Sequence, residues 1–375
     1  MSAISTKRVL FIAKTNLNND GRILNEMALL KDTFKDLQID FVLLPDKPTQ
    51  IALGDFVNLH EINLKFRHSK LLRPLTVLEF TWKSLKQMLN LKPEIVHVQD
   101  TAVVLPCLLF SFLRPNVPLI YDDHEIPNEN ESLSKKLFNR LEVWLMKRSD
   151  YVLHANQERM ELINESHNVK TPSSYFLNLP YFEDDTVEPD AKDSELLQQI
   201  DMERARGTKF LMHQGVIVKQ RGSEALADFS KSLPVGYKIL LLGGNREGYE
   251  NFLSSTGADE TKFWFVGSVN YTVLPLFWNR VIASIIMYLP TYINNRLCAP
   301  NRFYLSVQKE LPVIVNRANP VLNNFVKKYN CGLFIDDATQ EQWFDTLEEM
   351  YGQQAEIDFQ ELKREQINNL TRAYL

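Results

Sequence analysis

The chain alternates short β-branched and aliphatic runs with longer segments whose apolar residues recur at helical spacing. RVLFIA, IDFVLL, IVHVQ, PLIYDDH and YVLHAN read as strands in the first half. Helical patterns lie between them, from Arg22 to Lys35, Leu75 to Leu89 and Ser134 to Arg148. The strand runs lack polar–apolar alternation, as expected for a parallel sheet covered by helices on both faces. That predicts a doubly wound α/β domain. From Glu183 to Arg206 the rhythm pauses in an acidic, polar stretch that reads as a surface connection and a short helix. It then restarts with KFLMHQG, a helix from Ser223, YKILLLGG, KFWFVG, ASIIMYLP, a helix after Pro300, LPVIVN and GLFID. The pattern thus predicts two similar doubly wound halves joined near residues 175–185, with a polar amphipathic helix from Asp358 to Leu375.

Composition narrows the class. The 375 residues are 45% hydrophobic and 24% charged, as in ordinary globular chains. A net charge of −5 argues against a general nucleic-acid binder, which needs excess Lys and Arg. Cys107, Cys298 and Cys331 are too far apart for a metal knuckle and read as buried thiols in a reducing compartment. No run reaches the ~18 apolar residues of a membrane span, and the N-terminus has no signal-peptide pattern. The expectation is a cytoplasmic protein.

In open parallel sheets ligands bind beyond the carboxyl ends of strands, and two such domains facing each other make a cleft between those ends. The polar clusters fall there. Asp20, Arg22 and Glu26 follow the first strand in a segment that reads either as a capped helix with an i,i+4 ion pair or as a loop facing an acceptor. No GxGxxG is present. His97, Gln99 and Asp100 end one strand, and Asp122, Asp123, His124 and Glu125 end the next. Histidine there can donate to a substrate hydroxyl or accept its proton, and the spacing matches no standard metal pattern. In MHQGVIVKQRGSEAL, Gly215 turns the chain, and Lys219, Arg221 and Gly222 precede a helix whose N-terminus suits a diphosphate. Gly243 and Gly244 form a second close-approach loop. Pro300 suits a first helical turn, with Asn301 and Arg302 at the same end. Lys65, Arg67, Lys70 and Arg73 alternate with apolar residues through residues 65–90, which reads as a solvated basic helix face or as an interfacial patch for anionic lipid.

In this order the motifs resemble those of the GT-B glycosyltransferases, and within them the retaining family 4 enzymes that use nucleotide sugars. DGRILNE is similar to a DxRxxxE start, IVHVQD and LIYDDHE to HxHD and YDxHE strand ends, and RSDYVLHAN and LNLP to RADxVIxxS and NxP. GVIVKQRGSEAL is similar to GxxxxxRGxExL, and PNRFYLSVQKELPVIV to PNKxxEYxxxGxPVV. The resemblance spans nearly the whole chain. It implies an acceptor-binding Rossmann-like domain at 1–178, a donor-binding one at 179–357, and a helix at 358–375 crossing back to the first. It implies retaining transfer of a hexose from a nucleotide diphosphate sugar, a uridine one above others, to a glycan or lipid-linked acceptor in cell-surface polysaccharide or glycoconjugate synthesis. No cofactor or metal is implied.

By the same resemblance, Gly215, Lys219, Arg221, Gly222, Gly244, Asn301 and Arg302 bind the donor. Asp20, Arg22 and Glu26 face the acceptor, and His97, Asp123 and His124 line the transfer site. Work at the inner face of the membrane follows from a lipid-linked acceptor. Two positions depart from the pattern: Leu305 falls where the family carries a glutamate that holds the ribose, and Glu310 falls on its glycine. Loss of that carboxylate clamp costs about 1–3 kcal/mol of binding if nothing replaces it. The departures leave room for a non-catalytic GT-B subunit that binds glycan or a partner enzyme.

Overall fold

The computed structural model describes residues 8–18, 20–51, 53–67, 72–127, 133–180, 188–353 and 356–375. Lys70 and residues 181–187 of the acidic connection lie outside these. The chain divides into two compact units, one of Met1–Leu177 with Leu362–Leu375, the other of Asn178–Glu361.

The first unit holds seven parallel strands: β1 (Arg8–Ala13), β2 (Gln38–Leu43), β3 (Val57–Glu61), β4 (Ile95–Gln99), β5 (Leu119–Asp123), β6 (Tyr151–His154) and β7 (Ser173–Tyr175). Their order is β3-β2-β1-β4-β5-β6-β7. Helices α1 (Gly21–Thr33), α2 (Arg73–Leu91), α3 (Val104–Leu113), α4 (Leu133–Arg148) and α5 (Gln157–His167) connect them. The central strands are buried throughout, and hence read as unbroken apolar runs. The strand order reverses between β1 and β4, so the chains leaving these strands part and open a crevice at their carboxyl ends.

The second unit holds six parallel strands: β8 (Lys209–Gln214), β9 (Tyr237–Leu242), β10 (Phe263–Gly267), β11 (Ala283–Ile286), β12 (Val313–Val315) and β13 (Gly332–Phe334). Their order is β10-β9-β8-β11-β12-β13, with its reversal between β8 and β11. The helices are α6 (Ala191–Ala205), α7 (Ser223–Lys231), α8 (Arg246–Thr256), α9 (Leu274–Trp278), α10 (Ile293–Arg296), α11 (Asn301–Gln308), α12 (Pro320–Tyr329) and α13 (Trp343–Met350). Alternate residues of β8 and β9 feed two separate cores. Leu211, Ile239 and Leu241 pack with Phe229 and Trp343. Phe210, Met212, Leu240 and Leu242 pack on the other face with Phe277 and Trp278. That two-sided burial is what a doubly wound sheet requires.

The polar connection carries more helix than the sequence pattern suggests. Asp190 caps α6 by accepting from the Asp193 N–H at 2.8 Å, and Leu197 and Ile200 bury its inner face. The last helix, α14 (Phe359–Arg372), contributes Leu362, Leu370 and, just beyond its end, Tyr374 to the buried residues of the first unit.

Candidate functional site

Each unit gathers polar side chains at the strand ends where its order reverses. In the first unit the hub is Asp122, at the end of β5. Both oxygens accept from Arg22 at the start of α1: Nε to Oδ2 at 2.8 Å and Nη2 to Oδ1 at 2.5 Å. Arg22 Nη1 donates to the Phe176 carbonyl, and its Nε lies 3.3 Å from Glu26 Oε1 one turn on. His124 Nε2 lies 3.1 Å from Asp122 Oδ2 and 2.8 Å from Gln99 Oε1. With its oxygen so engaged, Gln99 aims Nε2 at Glu26 Oε2 (2.6 Å) and His97 Nε2 (3.3 Å). Gln99 therefore makes His97 Nε2 an acceptor. Nδ1 then carries the hydrogen and donates to the Tyr374 hydroxyl at 2.5 Å.

The charges sort by environment. Burial opposes ionisation of Asp122, but Arg22 and His124 overcome it and hold the carboxyl well below its usual range. Burial and then Asp122 push the Glu26 carboxyl well above its usual range. Burial drives the His97 imidazole down to about 3, and it stays neutral. His124 goes the other way. Burial opposes its charge, yet Asp122 raises it to about 9, so it is an imidazolium at neutral pH. His124 is also the accessible member, with 23% side-chain exposure, while His97, Glu26 and Asp122 have none. The Arg159 guanidinium, from α5, holds the His124 carbonyl at 2.6 Å. The group therefore offers a cationic hydrogen-bond donor at the strand ends.

Glu26, His97 and Asp122 each offer one ligand atom, all within 4.8 Å of one another. The Arg22 guanidinium already lies on both carboxylates, so a divalent ion there would face a fixed positive charge.

In the second unit, β8 is followed by Gly215, whose φ of 120° suits glycine. The reason is packing as well as backbone. A Cβ at Gly215 would lie 2.9 Å from Arg302 Nη1 and 3.3 Å from Arg221 Nη1. Two guanidinium groups thus converge over one glycine, one from the turn before α7 and one from the first turn of α11. The Tyr288 ring lies 5.8 Å from Arg221 and 5.1 Å from Arg302. Arg302 is buried, and its Nε and Nη2 have no hydrogen-bond partner. Among the described residues neither arginine makes an ion pair. His213, two residues before Gly215 on β8, is buried with both ring nitrogens unpartnered. Burial first, then Arg302 and Arg221, push it down to about 3. Buried cations without counter-charges are costly. Positive charge is thus concentrated at the end of β8.

No family model matches the sequence, and no curated protein sequence matches it. Solved structures do. Sucrose-phosphate synthase from Thermosynechococcus elongatus matches with a TM-score of 0.65 at 14% identity, over 97% of this chain and 94% of that one. WaaG, a glycosyltransferase involved in lipopolysaccharide biosynthesis, matches with a TM-score of 0.63 at 11% identity, over 97% and 94%. Anabaena HepE, solved with UDP and glucose, matches with a TM-score of 0.59 at 15% identity, over 87% and 85%. The fold is that of the GT-B glycosyltransferases.

Within this GT-B fold the residues singled out from sequence separate into groups. Arg221, Arg302, Gly215 and Gly222 lie together, and His97, His124, Arg22 and Glu26 form one network. Arg22 and Glu26, expected to face an acceptor, are buried in it and bonded to Asp122 and Gln99. Asp20 stands before α1 without a side-chain capping bond. Asp123 corrects the sequence reading. It points to the opposite face of β5 from Asp122, fully buried and 3.1 Å from His154 Nδ1, and Asp122 takes its place in the site. Lys219 extends into solvent against Glu224 at 3.0 Å. Gly244 has a φ of 75° and its carbonyl accepts from Ser268. Asn301 donates to the Asn178 carbonyl at 3.1 Å, which anchors the start of α11. Pro300 precedes that helix instead of opening it.

Leu305 also changes meaning. It is fully buried in the core formed by Phe210, Met212, Phe277 and Trp278, so α11 turns this position into the apolar layer. The sequence reading did not assign roles to His213, Tyr288, Gln99 or Tyr374. Strand period two carried the signal for His213, because residues 213 and 215 share a face.

Proposed function

We propose that this chain is a glycosyltransferase whose second unit binds a nucleoside diphosphate sugar. The observation that carries the reading is the pair Arg221 and Arg302 converging over Gly215 with no carboxylate partner. A diphosphate supplies the missing charge, and two guanidinium forks suit its oxygens. When the glycosidic bond to the diphosphate breaks, negative charge grows on the leaving oxygens, and these cations stabilise it without a divalent ion. In the first unit the His124 imidazolium, fixed by Asp122, is a hydrogen-bond donor suited to a sugar hydroxyl. His97 positions Gln99 from within the core.

The finer reading is transfer of a hexose from a uridine diphosphate sugar, with retention, to a glycan or lipid-linked acceptor in cell-surface polysaccharide or glycoconjugate synthesis on the cytoplasmic side. A neighbour of the same fold solved with UDP and glucose supports the choice of base.

Calorimetric titration with UDP and GDP, and then with their sugars, tests the reading. Saturable binding is expected, weakened about 10- to 100-fold by Arg302→Ala, the loss of a charged hydrogen bond. Without nucleotide, Arg302→Met is expected to raise the melting temperature, because an uncompensated buried charge is removed. No binding of any nucleoside diphosphate would overturn the proposal. It would favour a non-catalytic GT-B subunit that binds glycan or a partner enzyme.

A further inference from the structure

A single line of hydrogen bonds runs from the last helix of the first unit to the accessible histidine of its strand ends. Tyr374, just beyond α14, is buried, and its hydroxyl lies 2.5 Å from His97 Nδ1. Across the His97 ring, Nε2 lies 3.3 Å from Gln99 Nε2. Across the Gln99 amide, Oε1 lies 2.8 Å from His124 Nε2. His97 and Gln99 are fully buried, so bulk water does not compete for these bonds.

Each bond fixes the direction of the next, because the two groups in the middle each offer one donor side and one acceptor side. A neutral imidazole has one N–H. With the Tyr374 hydroxyl accepting from Nδ1, Nε2 of His97 is the acceptor and takes an N–H of Gln99. The amide then turns its oxygen to His124, where an imidazolium N–H is the matching donor. Moving the His97 proton to Nε2 would reverse every step. Gln99 would turn its oxygen to His97 and its amide nitrogen to His124, and a donor facing Nε2 there disfavours the charged ring. Glu26 follows the same switch, since Gln99 Nε2 donates to its Oε2 at 2.6 Å.

We propose that Tyr374 is a positioning residue for His124: its hydroxyl selects the His97 tautomer, the tautomer orients the Gln99 amide, and the amide oxygen helps hold the proton on His124. Its functional weight rests on the glycosyltransferase reading, which uses His124 as a donor; its test involves no nucleotide. Burial first, then Glu26 and Asp122, raise the Tyr374 phenol well above its usual range, so Tyr374→Phe removes a dipole and no charge. The charged groups facing His124 stay in place in that variant. They are Asp122 on β5, Asp100 after β4, Glu125 beside it, Arg22 on α1 and Arg159 of α5 on its carbonyl.

Nitrogen-15 NMR of the histidine rings in the whole protein is the test, with His97 and His124 assigned from His97→Gln and His124→Gln. In the unaltered protein His97 is expected to be neutral with its proton on Nδ1, and His124 to titrate near 9. In Tyr374→Phe the His97 proton is expected on Nε2. His124 should then titrate about one to two pH units lower, as for loss of one hydrogen bond to a charged group. Gln99→Leu, which breaks the line in the middle, should lower His124 similarly, and adding Tyr374→Phe to it should change nothing further. Phe34→Leu separates packing from hydrogen bonding, since the Phe34 ring lies 6.2 Å from that of Tyr374. It should lower the melting temperature and leave both histidines as they were. An unchanged His124 titration in Tyr374→Phe overturns the proposal. So does an equal fall in Phe34→Leu, or a further fall in the double variant, either of which would make Tyr374 a packing residue only. Failure to bind nucleotide would sink the glycosyltransferase reading and leave these titrations as they are.

Discussion

Arg302 and Leu305 sit three residues apart on α11, and their surroundings share almost nothing. Arg302 lies over Gly215 with unpartnered nitrogens, whereas Leu305 is enclosed by Phe277, Trp278 and the apolar side of β8. A substitution separates the two views of Leu305. If it were a degraded ribose clamp, Leu305→Glu would raise nucleotide affinity at little cost. The structure predicts the opposite, because a carboxyl group placed in that core has no partner. Destabilisation of several kcal/mol is expected in urea unfolding, comparable to the ~2–5 kcal/mol of Leu305→Ala. Retained stability with improved UDP affinity would refute the core assignment. At this scale the sequence identified most of the charged site members, because their residue types are chemically conspicuous. It could not tell Asp122 from Asp123. Adjacent strand residues face opposite ways, and only the pairing with Arg22 on one side and His154 on the other decides which one enters the site.

The end of α11 explains the second departure from the family pattern. The Leu311 N–H bonds to the Ser306 carbonyl at 2.9 Å and the Glu310 N–H to Val307 at 3.1 Å, a Schellman arrangement that closes the helix. Its left-handed position is Glu310, with φ at 54°, where glycine is the low-cost residue. Glu310→Gly is therefore expected to stabilise the second unit by about 1 kcal/mol, read as a higher melting temperature. A neutral or negative change would show that the Glu310 side chain contributes more than its backbone conformation costs. Elements were legible where burial was two-sided, as in β4 and β5. The two strands that escaped the pattern are edge or near-edge pieces: β3 is half-exposed along VNLHE, and β7 is only three residues long. Helix α3 was also silent, since VLPCLLFSFL is apolar on all faces and shows no period.

On the scale of the molecule, the first unit is discontinuous: its sheet ends at β7, yet it is completed by residues 362–375. Tyr374 bonds to His97, the Ser174 hydroxyl donates to the Asn369 carbonyl, and the Leu177 N–H donates to Gln366. A chain ending at Leu177 should therefore fold poorly, and a synthetic 362–375 peptide added in trans should restore protection of the β4 amides in hydrogen exchange. Equal protection with and without the peptide would show that the segment is dispensable. The same discontinuity sets an order of events during synthesis. All segments of the second unit leave the ribosome before residues 362–375 do, so that unit can fold while the first still lacks the Tyr374 side chain that packs on His97. Until then the nascent chain carries an incompletely packed sheet, an opening for chaperones or proteases that only the final helix closes.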